Sequence, residues 1–209
     1  MTTSETAKFN MIEQQIRPWE VLDHQVLAVI ERLDRADFVA DAYRGLAYAD
    51  CQIPVANGVR MLPPTIEGRV LQSLLLEPGD DVLVVGSISG YISTCLACLG
   101  GKVHSIDADA DIVELARDNA SRLGHEGINF EQCSLKAFDA PAQYDAIAVT
   151  GSLADVPDNL KQALRVGGRL FVICGHSPVM QALLIRRVSD DEWTRQSLFE
   201  TDLPRLNQG

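Results

Sequence analysis

Val82-Leu83-Val84-Val85-Gly86-Ser87-Ile88-Ser89-Gly90-Tyr91 is the stretch on which the reading of this chain turns. Four apolar residues in a row predict a strand covered on both faces. Gly86 and Gly90 then form a turn, and the apolar run from Ile92 to Leu99 predicts a helix. Strand, glycine turn and helix in that order make the cradle in which many folds hold a nucleotide-like cofactor. The spacing is G-x-x-x-G. A dinucleotide fingerprint starting at Gly86 would need glycines at 88 and 91, where this chain has Ile88 and Tyr91. Ile88 is β-branched and restricts the backbone at a point where a glycine would free it. Gly86, Ser87, Gly90 and Tyr91 are the candidate cofactor-binding residues of the turn.

Strand and helix alternate outward from this point. Strands are predicted at Asp81–Val85, Lys102–Ile106, Ile128–Cys133, Ala146–Thr150 and Arg169–Cys174, with helices at Ile92–Leu99, Ile112–Leu123 and Asn159–Leu164. Near-continuous apolar strands joined by helices indicate a parallel, doubly wound α/β sheet. Two further strand-like runs, Ala182–Ser189 and Trp193–Glu200, are joined by Asp190-Asp191-Glu192 and read as an antiparallel hairpin. Before the sheet, the apolar face Val21, Leu22, Val26, Leu27, Val29, Ile30 and Leu33 predicts a helix capped by Asp23. A second helix, Thr65–Leu76, follows Pro63-Pro64, with Thr65 expected as its cap. Residues 37–60 form a long connection without a period of their own. The first eight residues are expected to fray and Pro204–Gly209 to be disordered. The division expected is an N-terminal helical extension over residues 1–76 and a sheet domain over 77–209.

Asp107 ends the second strand, 21 residues after Gly86, where an acid accepts hydrogen bonds from a ribose. Ala108 adjoins it, and Thr150 and Ser152 end the fourth strand on the cleft side. The alternative for each is ordinary loop chemistry. Composition narrows the function classes. A net charge of −11 over 209 residues argues against nucleic acid and anionic membrane surfaces as partners. No apolar run is long enough to span a bilayer, and no signal peptide opens the chain, so the expected location is the cytoplasm. Five cysteines at irregular spacing make no disulfide framework, and Cys95 and Cys98 read as small buried residues, not a metal site.

Longer stretches carry a resemblance. Met11 to Pro18, Val21-Leu22-Asp23, Phe38-Val39, Leu46 to Asp50, Met61-Leu62-Pro63-Pro64, Leu76 to Asp80, Gly86 to Tyr91, Tyr144 to Ile147, Val149-Thr150-Gly151, Val156-Pro157 and Gly167 to Leu170 follow one another as in the protein-L-isoaspartate O-methyltransferase family. The chain resembles that family from about Met11 to Phe199. The resemblance implies a class I methyltransferase sheet, S-adenosyl-L-methionine as cofactor, and the carboxylate of an isoaspartyl residue in a damaged protein or peptide as acceptor.

Four positions depart from the family pattern. Val84 stands where the first strand carries an acid. Ile88 replaces the central turn glycine. Gln132-Cys133-Ser134 falls where a Gly-Asp-Gly meets the adenine, which makes Ser134 the candidate contact there. Leu62 occupies the position of a hydroxyl residue that engages the substrate carboxylate, with Thr65 a nearby substitute. Two readings therefore stay open beside the active enzyme: a non-catalytic relative serving as a binding or assembly module, and a methyltransferase with another acceptor. The N-terminal helices are expected either to embrace a second copy of the chain in a homodimer or to close over the pocket.

Overall fold

The computed structural model describes residues 3–209. Helix α1 (Thr3–Met11) continues into a π turn at Ile12–Ile16 and a 3-10 turn at Arg17–Trp19. Residues 3–8 are thus helical and not frayed: Met11, Ile12 and Ile16 are buried and anchor a segment whose own residues are polar. Helix α2 (His24–Arg32) starts as expected, with Asp23 accepting hydrogen bonds from the Gln25 and Val26 N–H groups at 2.9 and 3.0 Å. The connection after it holds 3-10 turns at Arg35–Phe38 and Asp41–Leu46 and a small antiparallel pair, β1 (Ile53–Pro54) and β2 (Arg60–Met61). Helix α3 (Pro64–Leu74) opens on Pro64, whose missing N–H is harmless in a first turn. Thr65 does not cap it. Its hydroxyl donates to Asp50 Oδ1 at 2.8 Å and ties the helix to the preceding connection.

The sheet follows: β3 (Asp81–Val85), α4 (Tyr91–Cys98), β4 (Lys102–Asp107), α5 (Ala110–Arg122), β5 (Asn129–Gln132), β6 (Tyr144–Leu153), α6 (Asp158–Ala163), β7 (Leu164–His176), β8 (Val179–Arg187) and β9 (Trp193–Thr201). Spatial order is β5-β4-β3-β6-β7-β8-β9. The first five strands in this order are parallel, and β8 and β9 add antiparallel. The chain winds outward from β3 in one direction and then from β6 in the other. The crevice at the carboxyl ends of β3 and β6 is therefore the topological switch point, where sheets of this kind bind ligands.

Burial follows the strand period. On β3, Val82 and Val84 face the layer built by α2 to α5, whereas Leu83 and Val85 face the layer that includes Leu160 and Ala163 of α6. Val84 is wholly buried among apolar side chains, so an acid there would be desolvated without a partner. The first layer also holds Val26 and Ile30 of α2 and Ile66, Val70, Leu71 and Leu74 of α3. Helices before the sheet thus cover the face on which the glycine turn opens. Among the described residues, no helix is long and apolar enough to cross a membrane.

Candidate active site

The turn after β3 is left-handed at three points: Gly86 at φ +97°, Ile88 at +51° and Gly90 at +84°. Gly86 and Gly90 adopt such angles without steric cost, but a β-branched residue does not. Ile88 therefore holds a glycine's conformation while its side chain is buried, 8% exposed, between α3 and the cleft. Space matters as much as angle. A Cβ on Gly90 would lie 2.7 Å from the Ala116 carbonyl of α5, and one on Gly86 would collide with Thr150 Oγ1.

The hydroxyls of the turn face inward. Ser87 Oγ lies 2.9 Å from Ser105 Oγ, which also accepts from Ser93 Oγ at 3.0 Å. Thr94 Oγ1 donates to the Gly90 carbonyl. Neither Ser87 nor Thr94 offers its side chain to the cleft, and Ser89 Oγ is buried with no partner among the described residues. Tyr91 is buried too, set edge-on against Phe38 with ring centroids 5.3 Å apart. Burial, reinforced by neighbouring Cys95 and Glu67, pushes its phenol well above the ordinary value. Tyr91 packs in the core behind the turn.

Asp107 stands at the end of β4 and faces the cleft. One carboxylate oxygen accepts from the Ser87 N–H at 2.9 Å and the other from the Asp109 N–H at 3.1 Å. It thus braces the turn and the start of α5 together. Burial raises its carboxyl, and the main-chain donors oppose that rise. Ala108 follows, its carbonyl accepting from Gln132 Nε2. Ser134 lies beyond β5, where its Oγ accepts from the Ala137 N–H. Thr150 Oγ1 donates to the carbonyls of Val85 and Gly86, at 3.1 and 2.6 Å, and so fixes the exit of β3.

Two parts of the site escaped sequence reasoning. The first is Arg35, 1% exposed, paired with buried Glu67 at 2.7 Å. Its other donors reach the carbonyls of Ala47 and Leu62, at 2.6 and 2.7 Å. One guanidinium therefore fixes the connection, α3 and the position that carries Leu62. Burial raises the Glu67 carboxyl while Arg35 pulls it back. The signal was available: Glu67 falls on the inward face of α3 with Val70, Leu71 and Leu74, a position an unpaired acid cannot occupy cheaply. Leu62 is buried and lines the cleft with its apolar side chain.

The second part is the last stretch of chain. Residues 203–209 are ordered against the site, contrary to the disorder expected for 204–209. Ser152 Oγ donates to the carbonyl of Leu203 at 2.9 Å, the Ser152 N–H to that of Pro204 at 3.1 Å, and the Leu206 N–H to the Ser152 carbonyl at 3.0 Å. With Leu62, Ile88, Asp107, Thr150 and the loop at Asn57–Arg60, this segment encloses a cleft of about 170 Å³. The loop is moored across the opening by Asn57 Nδ2, which donates to Asp109 at 2.8 Å and holds that carboxyl below its ordinary value.

The arrangement has close counterparts. The family model for protein-L-isoaspartate(D-aspartate) O-methyltransferase matches residues 6–202. A protein-L-isoaspartate O-methyltransferase of Rhodopseudomonas palustris is 32% identical over 190 residues, covering 90% of this chain and 87% of its own length. One from Aeropyrum pernix is 34% identical over 195 residues, 91% of this chain and 75% of that protein. Among solved structures, a Plasmodium falciparum protein assigned to the same activity, crystallised with S-adenosyl-L-homocysteine, superposes with a TM-score of 0.82 over 100% of both chains at 18% identity. At that identity the superposition speaks for the fold alone. The sequence matches reach further: this chain belongs to the protein-L-isoaspartate(D-aspartate) O-methyltransferase family.

Proposed function

We propose that the protein transfers a methyl group from S-adenosyl-L-methionine to the free carboxylate of an isoaspartyl residue in a damaged protein or peptide. The observation that carries this reading is family membership over residues 6–202 with Gly86 and Asp107 at the switch point of the sheet. The cradle residues fit the cofactor. Gly86 lets the end of β3 turn tightly against Thr150, Gly90 lets the turn pack on α5, and Asp107 lines the cleft where an acid of this placement meets a ribose. Room is short: pockets enclosing ligands of this size run to roughly 300–1,000 Å³, against about 170 Å³ here.

When bound, the cofactor supplies an electrophilic methyl group on a sulfonium. An acceptor carboxylate is already a nucleophile, so the protein's work is to orient it and exclude water. Asp107 and the turn amides would hold the sugar, Ala108 and Ser134 would flank the base, and Thr150 keeps the end of β3 in place. Leu62 and Ile88 make the acceptor side apolar and dry. With no hydroxyl at position 62, orientation there falls to main-chain groups of the segment whose Leu62 carbonyl Arg35 holds.

The same departures favour a second reading, a family member retained as a binding or assembly module. Surface acidity, −11 overall, supports protein acceptors over nucleic acid, and five free thiols suit a cytoplasmic location. We also read residues 1–76 as a helical extension of the domain 77–209, with a homodimer as one use for it. The test of function is methyl transfer from labelled S-adenosylmethionine to a matched pair of peptides, one isoaspartyl and one aspartyl. Base-labile label on the isoaspartyl peptide alone is expected. No transfer to either, with the protein folded, would leave the module reading.

A further inference from the structure

We propose that residues 204–209 are a built-in occupant of the adenosyl end of this cleft, and that the cofactor enters only when they leave. The inference rests on reading the cleft as the cofactor site. Its own evidence is where the segment lies. Arg205 pairs in parallel with Ser152, so the segment adds as a short strand to the end of β6. Leu206 then sits over the glycine turn: its Cδ1 is 2.8 Å from where a Cβ on Gly86 would be, and its Cβ is 3.0 Å from the same point on Gly151. Gly209 ends against the opposite wall. A Cβ there would lie 2.5 Å from the Ser134 Cβ and 3.5 Å from that of Ala108. Its carbonyl accepts from Lys136 Nζ at 2.6 Å.

From Leu206 to Gly209 the chain can reach about 10 Å. That is enough to run from the glycine turn to the Ala108–Ser134 wall, and the segment touches both. These are the surfaces a nucleoside would need. The space beside Gly86 is bounded by Thr150 Oγ1 and by Leu206 Cδ1, and the surface that Leu206 covers there cannot hold that side chain and a ligand atom together. The segment and the cofactor are therefore competitors for one surface. It also accounts for the small cleft volume, since Leu203 to Asn207 form one of its walls.

Competition of this kind lowers apparent affinity by the fraction of molecules whose cleft is open. The seat comprises two main-chain hydrogen bonds to Ser152, the bond from Ser152 Oγ to the Pro204 carbonyl, that from Arg205 to the Gly175 carbonyl, the Lys136 contact and the Leu206 side chain; a seat closed in about nine molecules of ten sets the size of the expected effect. Removing the segment should then tighten ligand binding by roughly tenfold or more.

The experiment titrates S-adenosylhomocysteine calorimetrically into the full chain, into a chain ending at Arg205, and into full-length Leu206→Asp. Urea unfolding verifies that each is folded. In the full chain, exchange of the Leu206 amide is followed by NMR with and without ligand. Tighter binding by either variant, with loss of Leu206 protection on saturation, is the expected result. Equal affinity in all three, with Leu206 still protected in the complex, would overturn the inference and leave the cofactor reading standing. Absence of binding in all three would instead overturn the cofactor reading, and the competition with it.

Discussion

Replacing Ile88 by glycine and by alanine tests the strained turn directly. Both substitutions remove a side chain that is 8% exposed, and losing a buried branched residue of this size costs about 2–4 kcal/mol. They differ in backbone. At φ +51° a residue with a Cβ is disfavoured by about 1–2 kcal/mol, whereas glycine costs about 0.5–1 kcal/mol through the freedom of its unfolded chain. Ile88→Gly should therefore be the more stable of the two by roughly 0.5–1 kcal/mol, the reverse of an ordinary site. Urea unfolding monitored by circular dichroism, with equal slopes, measures this. Both variants should fall below the parent, Ile88→Ala further. If Ile88→Ala proves the more stable, position 88 is not left-handed and the picture of a glycine turn carrying a branched residue is wrong. A second readout follows from position, since Ile88 lines the cleft: S-adenosylhomocysteine should bind Ile88→Gly more tightly than the parent.

Three further outcomes are expected. Arg35→Met and Glu67→Leu should each cost about 3–5 kcal/mol by stranding a buried charge, and the double variant should cost at least 1 kcal/mol less than their sum; strict additivity in urea unfolding would show that the pair is not coupled. Burial raises the Asp107 carboxyl above 3.8, so the native state holds its proton longer than the unfolded one, and stability from this group falls as pH rises through the folded value. Asp107→Asn removes that titration, and its stability relative to the parent should rise with pH just above 3.8; a flat or falling difference refutes the shift. Burial pushes the Cys174 thiol up to about 11, and Cys95 is also raised and wholly buried. In native protein at neutral pH both should resist alkylation while half-buried Cys51 and Cys98 react, as peptide mapping would report.

Much of the fold was legible because its signals are local. Asp81–Val85 is an unbroken apolar run and emerged with the bounds expected. Asp23 stands one residue before a 3.6-residue apolar period and caps α2 as such a residue should. Other strands differ at their ends, since β6 and β7 continue into bulged and antiparallel pairings that no single segment encodes. The connection over 37–60 gave no period because 3-10 turns and a two-residue hairpin have none.

The site was legible where a backbone requirement shows in the residue type. Gly86 and Asp107 adjoin at the switch point through the Ser87 N–H, and Gly90 packs the turn against α5. Ser87, a candidate cofactor contact, bonds inside the layer instead, because a side chain's direction depends on the turn angles and not on its place in the motif. Arg35 drew no reading from the sequence, since the acid that neutralises it lies 32 residues away. The segment 203–209 was unreadable because the hydrogen bonds that seat it are accepted by main-chain carbonyls, which leave no mark on composition or period.

The most direct test of the central claim is a calorimetric titration of the full chain with S-adenosylhomocysteine, repeated on Asp107→Ala. Saturable binding in the full chain, weakened at least tenfold by the substitution, is the predicted result, because Asp107 both braces the turn and lines the cleft proposed to take the sugar. Flat heats in the folded parent and in the chain ending at Arg205, or binding that ignores the loss of Asp107, would contradict a cofactor site at the end of β3.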